Sequence, residues 1–170
     1  DGGGHALAKA IMTTDTVTKE VAIRVQAGSE FIVGGIAKGS GMIHPQLGTL
    51  LSFLTTDAEV DLDLLVTALK RAVDISFNMV SIDGDTSPND TVLIMANGLS
   101  GCKVTRQKTE QVVAFQQALN RVCTYLAKAI ARDGEGATKL IEVTVSGAAN
   151  EASARLAART VVSSSLVKAA

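Results

Sequence analysis

A chain of 170 residues, 46% of them hydrophobic, is long enough to bury the core of one domain but hardly of two. Its 16 Lys and Arg residues are balanced by 17 Asp and Glu residues, and only 3% of residues are aromatic, which excludes the basic surface and the stacking rings typical of nucleic-acid binding. The sequence has neither an apolar run of membrane-spanning length nor a charged leader followed by an apolar stretch, so we predict a cytoplasmic protein that neither spans a membrane nor carries a secretion signal.

Metal binding is not predicted, because the two cysteines and two histidines lack the close paired spacing of a tetrahedral site. These residues are Cys102, Cys123, His5 and His44. Cys123 lies within a strongly helical pattern, where a buried free thiol is more common than a disulfide. We therefore predict two structural cysteines and no metal cofactor.

The first part of the chain predicts a β-hairpin followed by a glycine-rich loop. Residues 1–5 are expected to be flexible. Residues 21–25 alternate with the two-residue period of a half-buried strand, residues 27–29 are typical of a turn, and residues 31–33 resume the β-branched pattern. Residues 34–45 hold too much glycine for a stable helix and suit a regular strand poorly, so we predict a functional loop there.

Beyond this loop, apolar periodicity predicts strands and helices in turn. The predicted elements are a strand starting at Thr49, a helix at 61–77, strands at 80–83 and 91–96, a helix at 109–131, a strand at 140–145 and a helix at 151–167. Because pairs of strands stand between helices, this order favours a mixed, mostly antiparallel sheet layered with helices over a doubly wound fold. We expect residues 1–170 to form one domain that is the central portion of a longer polypeptide.

Common catalytic motifs are absent from the glycine-rich loop. The spacing of Gly34, Gly35 and Lys38 does not match a phosphate-binding P-loop, and the Gly-x-Gly-x-x-Gly dinucleotide fingerprint is missing. Residues 39–41 do not form the Gly-x-Ser-x-Gly nucleophile elbow. From the pattern alone, glycines that only permit tight turns are the simpler interpretation.

A series of colinear motifs gives the loop a more specific meaning. In chain order they are AIMTTDT (10–16), GIAKGSGMIHP (35–45), TLL (49–51), TTDA (55–58), SFN (76–78), DGDTSPND (83–90), RDGEGATK (132–139) and SLVK (165–168). In order and spacing, this series resembles the bifunctional ornithine acetyltransferase and N-acetylglutamate synthase family. The resemblance covers nearly the whole chain.

The resemblance implies an α/β/β/α sandwich and an enzyme that cuts its own backbone before a threonine. The matching bond joins Gly48 to Thr49, so residues 1–48 would end an α subunit and residues 49–170 would begin a β subunit. Glycine stands at Gly48 where alanine is more common in the family. A freed α-amino group on Thr49, with a reference pKa of about 8, would serve as the base that a weakly nucleophilic hydroxyl requires.

The same resemblance implies that the acetyl group of N2-acetylornithine passes to Thr49 and then to glutamate. Lys38 matches a lysine that contacts substrate beside the nucleophile, and Glu135 matches a glutamate that holds the amino end of ornithine. Thr13, with Thr14 and Asp15, would line or brace the site.

No metal or organic cofactor is implied for this reaction, although some family members accept acetyl-CoA as an alternative acetyl donor. The oxyanion-hole donors and further substrate contacts would come from segments outside these residues. The implied assembly is a hetero-oligomer of α and β chains, without nucleic acid or membrane as a partner.

Two alternative functions remain open from the sequence. An N-terminal-nucleophile aminopeptidase of the same superfamily would pass its acyl group to water, and a hydrolysis assay with amino-acid amides distinguishes it. A non-catalytic binding subunit would never be processed, and an intact mass that retains the bond between Gly48 and Thr49 distinguishes that case.

Overall fold

The computed structural model describes residues 3–44 and 50–170. Within these ranges, six strands and five helices follow one another in chain order, with a 3₁₀ turn at Phe77–Met79. They are α1 (Gly3–Ala10), β1 (Lys19–Ala27), β2 (Ser29–Lys38), β3 (Leu51–Thr56), β4 (Glu59–Val60), α2 (Leu62–Asp74), β5 (Thr91–Ala96), β6 (Lys103–Val104), α3 (Thr109–Arg132), α4 (Glu151–Val162) and α5 (Ser165–Ala169).

The main sheet has four strands in the order β1-β2-β3-β5, and β4 pairs with β6 in a separate two-stranded sheet. The pairs β1 with β2 and β2 with β3 are antiparallel, whereas β3 runs parallel to β5. Lys19 pairs with Ala37, and the next residue, Lys38, pairs with Leu51, which in turn pairs with Thr91. The last residue of β2 therefore lies at the same end of the sheet as the first residues of β1, β3 and β5.

One face of the sheet is covered by α3 and, beyond it, α2. Both helices present apolar residues at helical spacing toward the sheet. The rings of Phe31 and Phe115 have centroids 6.2 Å apart in a tilted arrangement. The main contributors to this core are Phe31, Val33, Leu54, Leu65, Ala68, Phe115, Leu119, Val122 and Leu126. The predicted fold, a mixed and mostly antiparallel sheet with helices layered on it, is confirmed.

The glycine-rich segment is only partly a loop, which corrects the prediction for residues 34–38. These residues complete β2 because α3 passes directly over them. A Cβ built on Gly35 would lie 2.5 Å from Leu54 Cδ2 on β3 and 3.1 Å from Leu126 Cδ1 on α3, so both neighbours leave little room for a side chain here. The irregular segment begins at Gly39, whose φ of 149° lies in the region that favours glycine.

Several predicted boundaries are also wrong. Of residues 1–5, which were predicted to be flexible, residues 3–5 begin α1 and residues 1–2 lie outside the described residues. The helix predicted at 61–77 ends at Asp74. Residues 80–83 and 140–145 form no strand, because they pair with no other strand in the described part of the chain.

The final helix divides in two at its serine run. Serine hydroxyls compete with helical hydrogen bonds and favour capping positions. Here α4 ends at Val162, and the Ser164 side chain accepts a hydrogen bond from the Val167 amide at the start of α5.

Both cysteines are buried and free, as predicted. Burial raises the pKa of the Cys123 thiol to about 12, so it stays protonated at neutral pH. Across residues 3–44 and 50–170, no helix combines the length and apolar character needed to cross a bilayer.

Candidate active site

A buried ion cluster ties the end of α3 to the start of the sheet. The Lys19 side chain is only 1% exposed, and its ammonium contacts Asp15 Oδ1 at 2.7 Å and Asp133 Oδ2 at 2.5 Å. Asp133 caps the C-terminus of α3 and also accepts hydrogen bonds from the amide and hydroxyl of Thr16. Because two carboxylates share one ammonium, Lys19 is fully engaged and has a structural role.

Both carboxyl groups of this cluster have pKa values below the ordinary range. For Asp15, burial alone would raise the pKa, but hydrogen bonds from the Gly39 amide and the Lys19 ammonium outweigh it. For Asp133, burial likewise opposes hydrogen bonds from Lys19 and Thr16, and the pKa again falls. The charged forms are therefore stabilised in the folded protein.

These lowered pKa values predict a loss of stability in acid. A carboxyl group whose pKa is lower in the folded than in the unfolded state stabilises fully above its unfolded value of about 4, and that contribution disappears as the pH falls through the folded value. We expect the urea concentration at the unfolding midpoint to decrease as the pH is lowered below about 4. This decrease should be less steep in Asp15→Asn. Equal slopes for the two proteins below pH 4 would contradict this prediction.

Lys38 differs from Lys19 in its partners. It is 7% exposed, and its ammonium donates to Thr13 Oγ1 at 2.8 Å. Among the residues that the structure describes, no carboxylate forms an ion pair with it. A buried ammonium without a counter-ion is costly, so this position favours an anionic ligand.

Glu135 reaches the same region from the turn that follows α3. Its amide donates to the Ser40 carbonyl at 2.6 Å, and the Ser40 hydroxyl lies 2.5 Å from the Thr14 hydroxyl. A Cβ built on Gly41 would lie 3.0 Å from Glu135 Oε2, which shows that the carboxylate extends over the loop. Within the described ranges this carboxylate has no paired cation, and it is open to solvent.

The predicted residues Thr13, Lys38 and Glu135 therefore come together around the end of β2. The remaining two, Gly48 and Thr49, lie outside the described residues. The described residues before and after them are His44 and Leu50. Leu50 directly precedes Leu51, which pairs with Lys38 at the end of β2.

No role was predicted for two aspartates that bind the backbone on either side of residues 45–49, or for a lysine that contacts the neighbouring residues 81–82. Asp83 accepts from the amides of Met42 and Ile43, and Asp90 accepts from the Leu50 amide. Lys168 donates to the Ser81 hydroxyl at 3.0 Å and to the Ile82 carbonyl at 2.8 Å. Burial lowers the pKa of Lys168, and this effect outweighs the negative charge of Asp83, which would raise the pKa.

Their contacts join residues distant in sequence, so spacing alone could not reveal them. The sequence signals for these residues were their places in the motifs DGDTSPND (83–90) and SLVK (165–168).

The fold and this site define a mixed α/β protein with opposite charges placed around one end of its sheet. The chain belongs to the ArgJ family, which it matches over residues 2–170. It is 54% identical to the arginine biosynthesis bifunctional protein ArgJ of Dehalococcoides mccartyi and 56% identical to that of Symbiobacterium thermophilum, over 98% and 99% of this chain. The chain spans 42% of the length of each of these relatives.

A solved structure supports the same fold. The crystal structure of arginine biosynthesis bifunctional protein ArgJ from Bacillus halodurans matches with a TM-score of 0.65 and 48% sequence identity. The match covers 68% of this chain and 54% of that one. The family resemblance and the layered α/β fold predicted from the sequence are both confirmed.

Proposed function

We propose that this chain is the central part of an acetyltransferase that moves the acetyl group of N2-acetylornithine to glutamate. The ArgJ family membership and the relatives' name, which refers to arginine biosynthesis, support this function. The carrier of the acetyl group is Thr49, after cleavage of the bond between Gly48 and Thr49. The protein acts in the cytoplasm as a hetero-oligomer of its two fragments.

The observation that carries the proposal is the pair of unneutralised charges at the end of β2. Lys38 is a buried ammonium without a described carboxylate partner, and Glu135 is an accessible carboxylate without a described cation. N2-acetylornithine carries an α-carboxylate and a side-chain ammonium, which complement these two groups. Thr13 holds the Lys38 ammonium in place through its hydroxyl.

Self-cleavage prepares the nucleophile. The Thr49 hydroxyl oxygen attacks the Gly48 carbonyl carbon, the carbon–nitrogen bond breaks, and the hydroxyl proton passes to the freed nitrogen. Water then hydrolyses the resulting ester, leaving a carboxylate on Gly48 and both a hydroxyl and an α-amine on Thr49. This amine is the local base that the hydroxyl needs.

Acetyl transfer follows in two steps. The Thr49 hydroxyl attacks the acetyl carbonyl, its proton passes through the α-amine to the departing nitrogen, and ornithine leaves an acetyl ester on Thr49. The amine of glutamate then attacks this ester, which forms N-acetylglutamate and restores the hydroxyl. Every proton and acetyl group is accounted for by the substrates and Thr49, so the proposed reaction uses no cofactor, and acetyl-CoA is an alternative donor to the same hydroxyl.

The role of Glu135 provides a direct test of the substrate assignment. In the full-length enzyme, Glu135→Gln is expected to raise KM for N2-acetylornithine by roughly 10- to 100-fold, because it replaces a charged hydrogen bond by a neutral one. The matched control is Glu142→Gln, at an exposed carboxylate that pairs with Lys128. Steady-state kinetics measure both variants.

A substrate without the side-chain amine makes this test specific. N2-acetylnorvaline is expected to be a poor substrate of the wild-type enzyme and to lose little further in Glu135→Gln. If the variant discriminates between the two substrates as strongly as the wild type does, Glu135 does not bind the ornithine ammonium.

A further inference from the structure

We propose that Asp83 and Asp90 are positioning residues that hold the backbone before and after segment 45–49 for self-cleavage. This inference rests on the proposed function, because it assumes cleavage between Gly48 and Thr49.

Asp83 holds the chain that leads into the segment. Its Oδ1 accepts from the Ile43 amide at 3.1 Å, and its Oδ2 accepts from the Met42 amide. Met42 has a φ of 53°, a left-handed conformation that non-glycine residues rarely adopt. Such a backbone persists where its surroundings hold it, and the Asp83 carboxylate supplies those bonds.

Asp90 holds the chain that leaves the segment. Its Oδ1 accepts from the Leu50 amide at 2.7 Å. Leu50 is buried and directly follows the residue that we propose as the nucleophile. The Asp90 carboxylate therefore binds the amide of the peptide bond that joins Thr49 to Leu50.

The two aspartates belong to one loop, and the backbone residues just before and after this loop also bind Ile43 and Leu50. The Ile82 amide donates to the Ile43 carbonyl at 2.7 Å, and the Thr91 amide donates to the Leu50 carbonyl at 3.0 Å. Residues 82–91 thus contact residues 42–43 and Leu50, on either side of the segment, through main chain and side chain together. The side chain of Asp85, in the same loop, is exposed and makes none of these contacts.

Holding both ends has a chemical purpose in an intramolecular reaction. Attack of a hydroxyl on the preceding carbonyl requires a distorted backbone, and its rate depends on how often the chain adopts that geometry. Fixing the backbone at Ile43 and Leu50 restricts the conformations of the six residues between them. Loss of either carboxylate is therefore expected to slow cleavage in a protein that remains folded.

The test follows cleavage of the full-length precursor. Asp90→Ala and Asp83→Ala are expected to slow first-order cleavage of the bond between Gly48 and Thr49 at least tenfold, measured by gel and intact mass. Asp90→Asn is expected to restore most of the rate, because its amide oxygen can still accept from Leu50. Asp85→Asn is the matched control and should cleave at the wild-type rate.

A version assembled from two separately produced chains, one ending at Gly48 and one starting at Thr49, separates positioning from general support of the fold. In this version Asp90→Ala should keep its acetyl-transfer kcat and KM within about threefold of the wild type.

The outcomes distinguish this proposal from the function on which it rests. Cleavage of the Asp90→Ala and Asp83→Ala precursors at the wild-type rate would overturn the positioning role and leave the proposed function intact. The positioning role would also be overturned if Asp90→Ala lowered acetyl transfer in the two-chain version as much as it slows cleavage of the precursor. The residue would then support the fold in general. Failure of the wild-type precursor to cleave at this bond would instead refute the proposed processing itself.

Discussion

Thr49→Ala is expected to leave the full-length precursor uncut and to lower acetyl transfer by about 10⁴-fold or more. Alanine removes the only atom that can attack either the Gly48 carbonyl or the acetyl carbonyl in the proposed reactions. Both losses therefore follow from one substitution. Intact mass measures the first loss, and production of N-acetylglutamate from N2-acetylornithine and glutamate measures the second.

Thr49→Ser is the matched control for this prediction, because it keeps the hydroxyl and removes only a methyl group. Where the serine precursor is cut, its fragment should accept an acetyl group. Cleavage of Thr49→Ala at the wild-type rate would show that another group attacks the Gly48 carbonyl, and the proposed nucleophile would then be wrong.

Lys19→Met is expected to cost about 3–5 kcal/mol of the free energy of unfolding, because it leaves Asp15 and Asp133 buried without their shared cation. Methionine preserves most of the side-chain volume, so the loss reflects charge and not a cavity. Urea unfolding of the protein measures the difference. The loss should exceed that of any substitution at an exposed ion pair.

The exposed pair formed by Lys103 and Glu59 provides the control. Its lysine is 56% exposed, so Lys103→Met is expected to change the free energy of unfolding by about 0–1 kcal/mol. If Lys19→Met unfolds at the same urea concentration as Lys103→Met, the buried cluster does not stabilise this end of the sheet.

Local patterns were sufficient to predict much of the fold. The alternation at residues 21–25 predicted the hairpin of β1 and β2, and the apolar periodicity beyond Thr109 predicted α3 almost to its last residue. These elements form where short-range propensity and the buried face agree. The motifs then placed Thr13, Lys38 and Glu135, which the fold brings together at one end of the sheet.

The failures have a common physical origin in long-range contacts. Glycines at 34 and 35 suggested a loop, but they lie in β2, where Leu54 and the side chains of α3 leave little room for a side chain at Gly35. Residues 140–145 have a strand pattern, yet a strand needs a hydrogen-bonding partner, and none occurs within the described ranges. Likewise, the bonds of Asp83 and Asp90 depend on a loop about 40 residues away from its partners.

The most direct measurement is the mass of the fragment that begins at Thr49 after the full-length enzyme has been exposed briefly to N2-acetylornithine without glutamate. The proposed mechanism predicts a gain of one acetyl group on Thr49, which added glutamate removes. An enzyme that transfers acetyl groups at its normal rate while this fragment never gains the acetyl mass would contradict a covalent intermediate on Thr49.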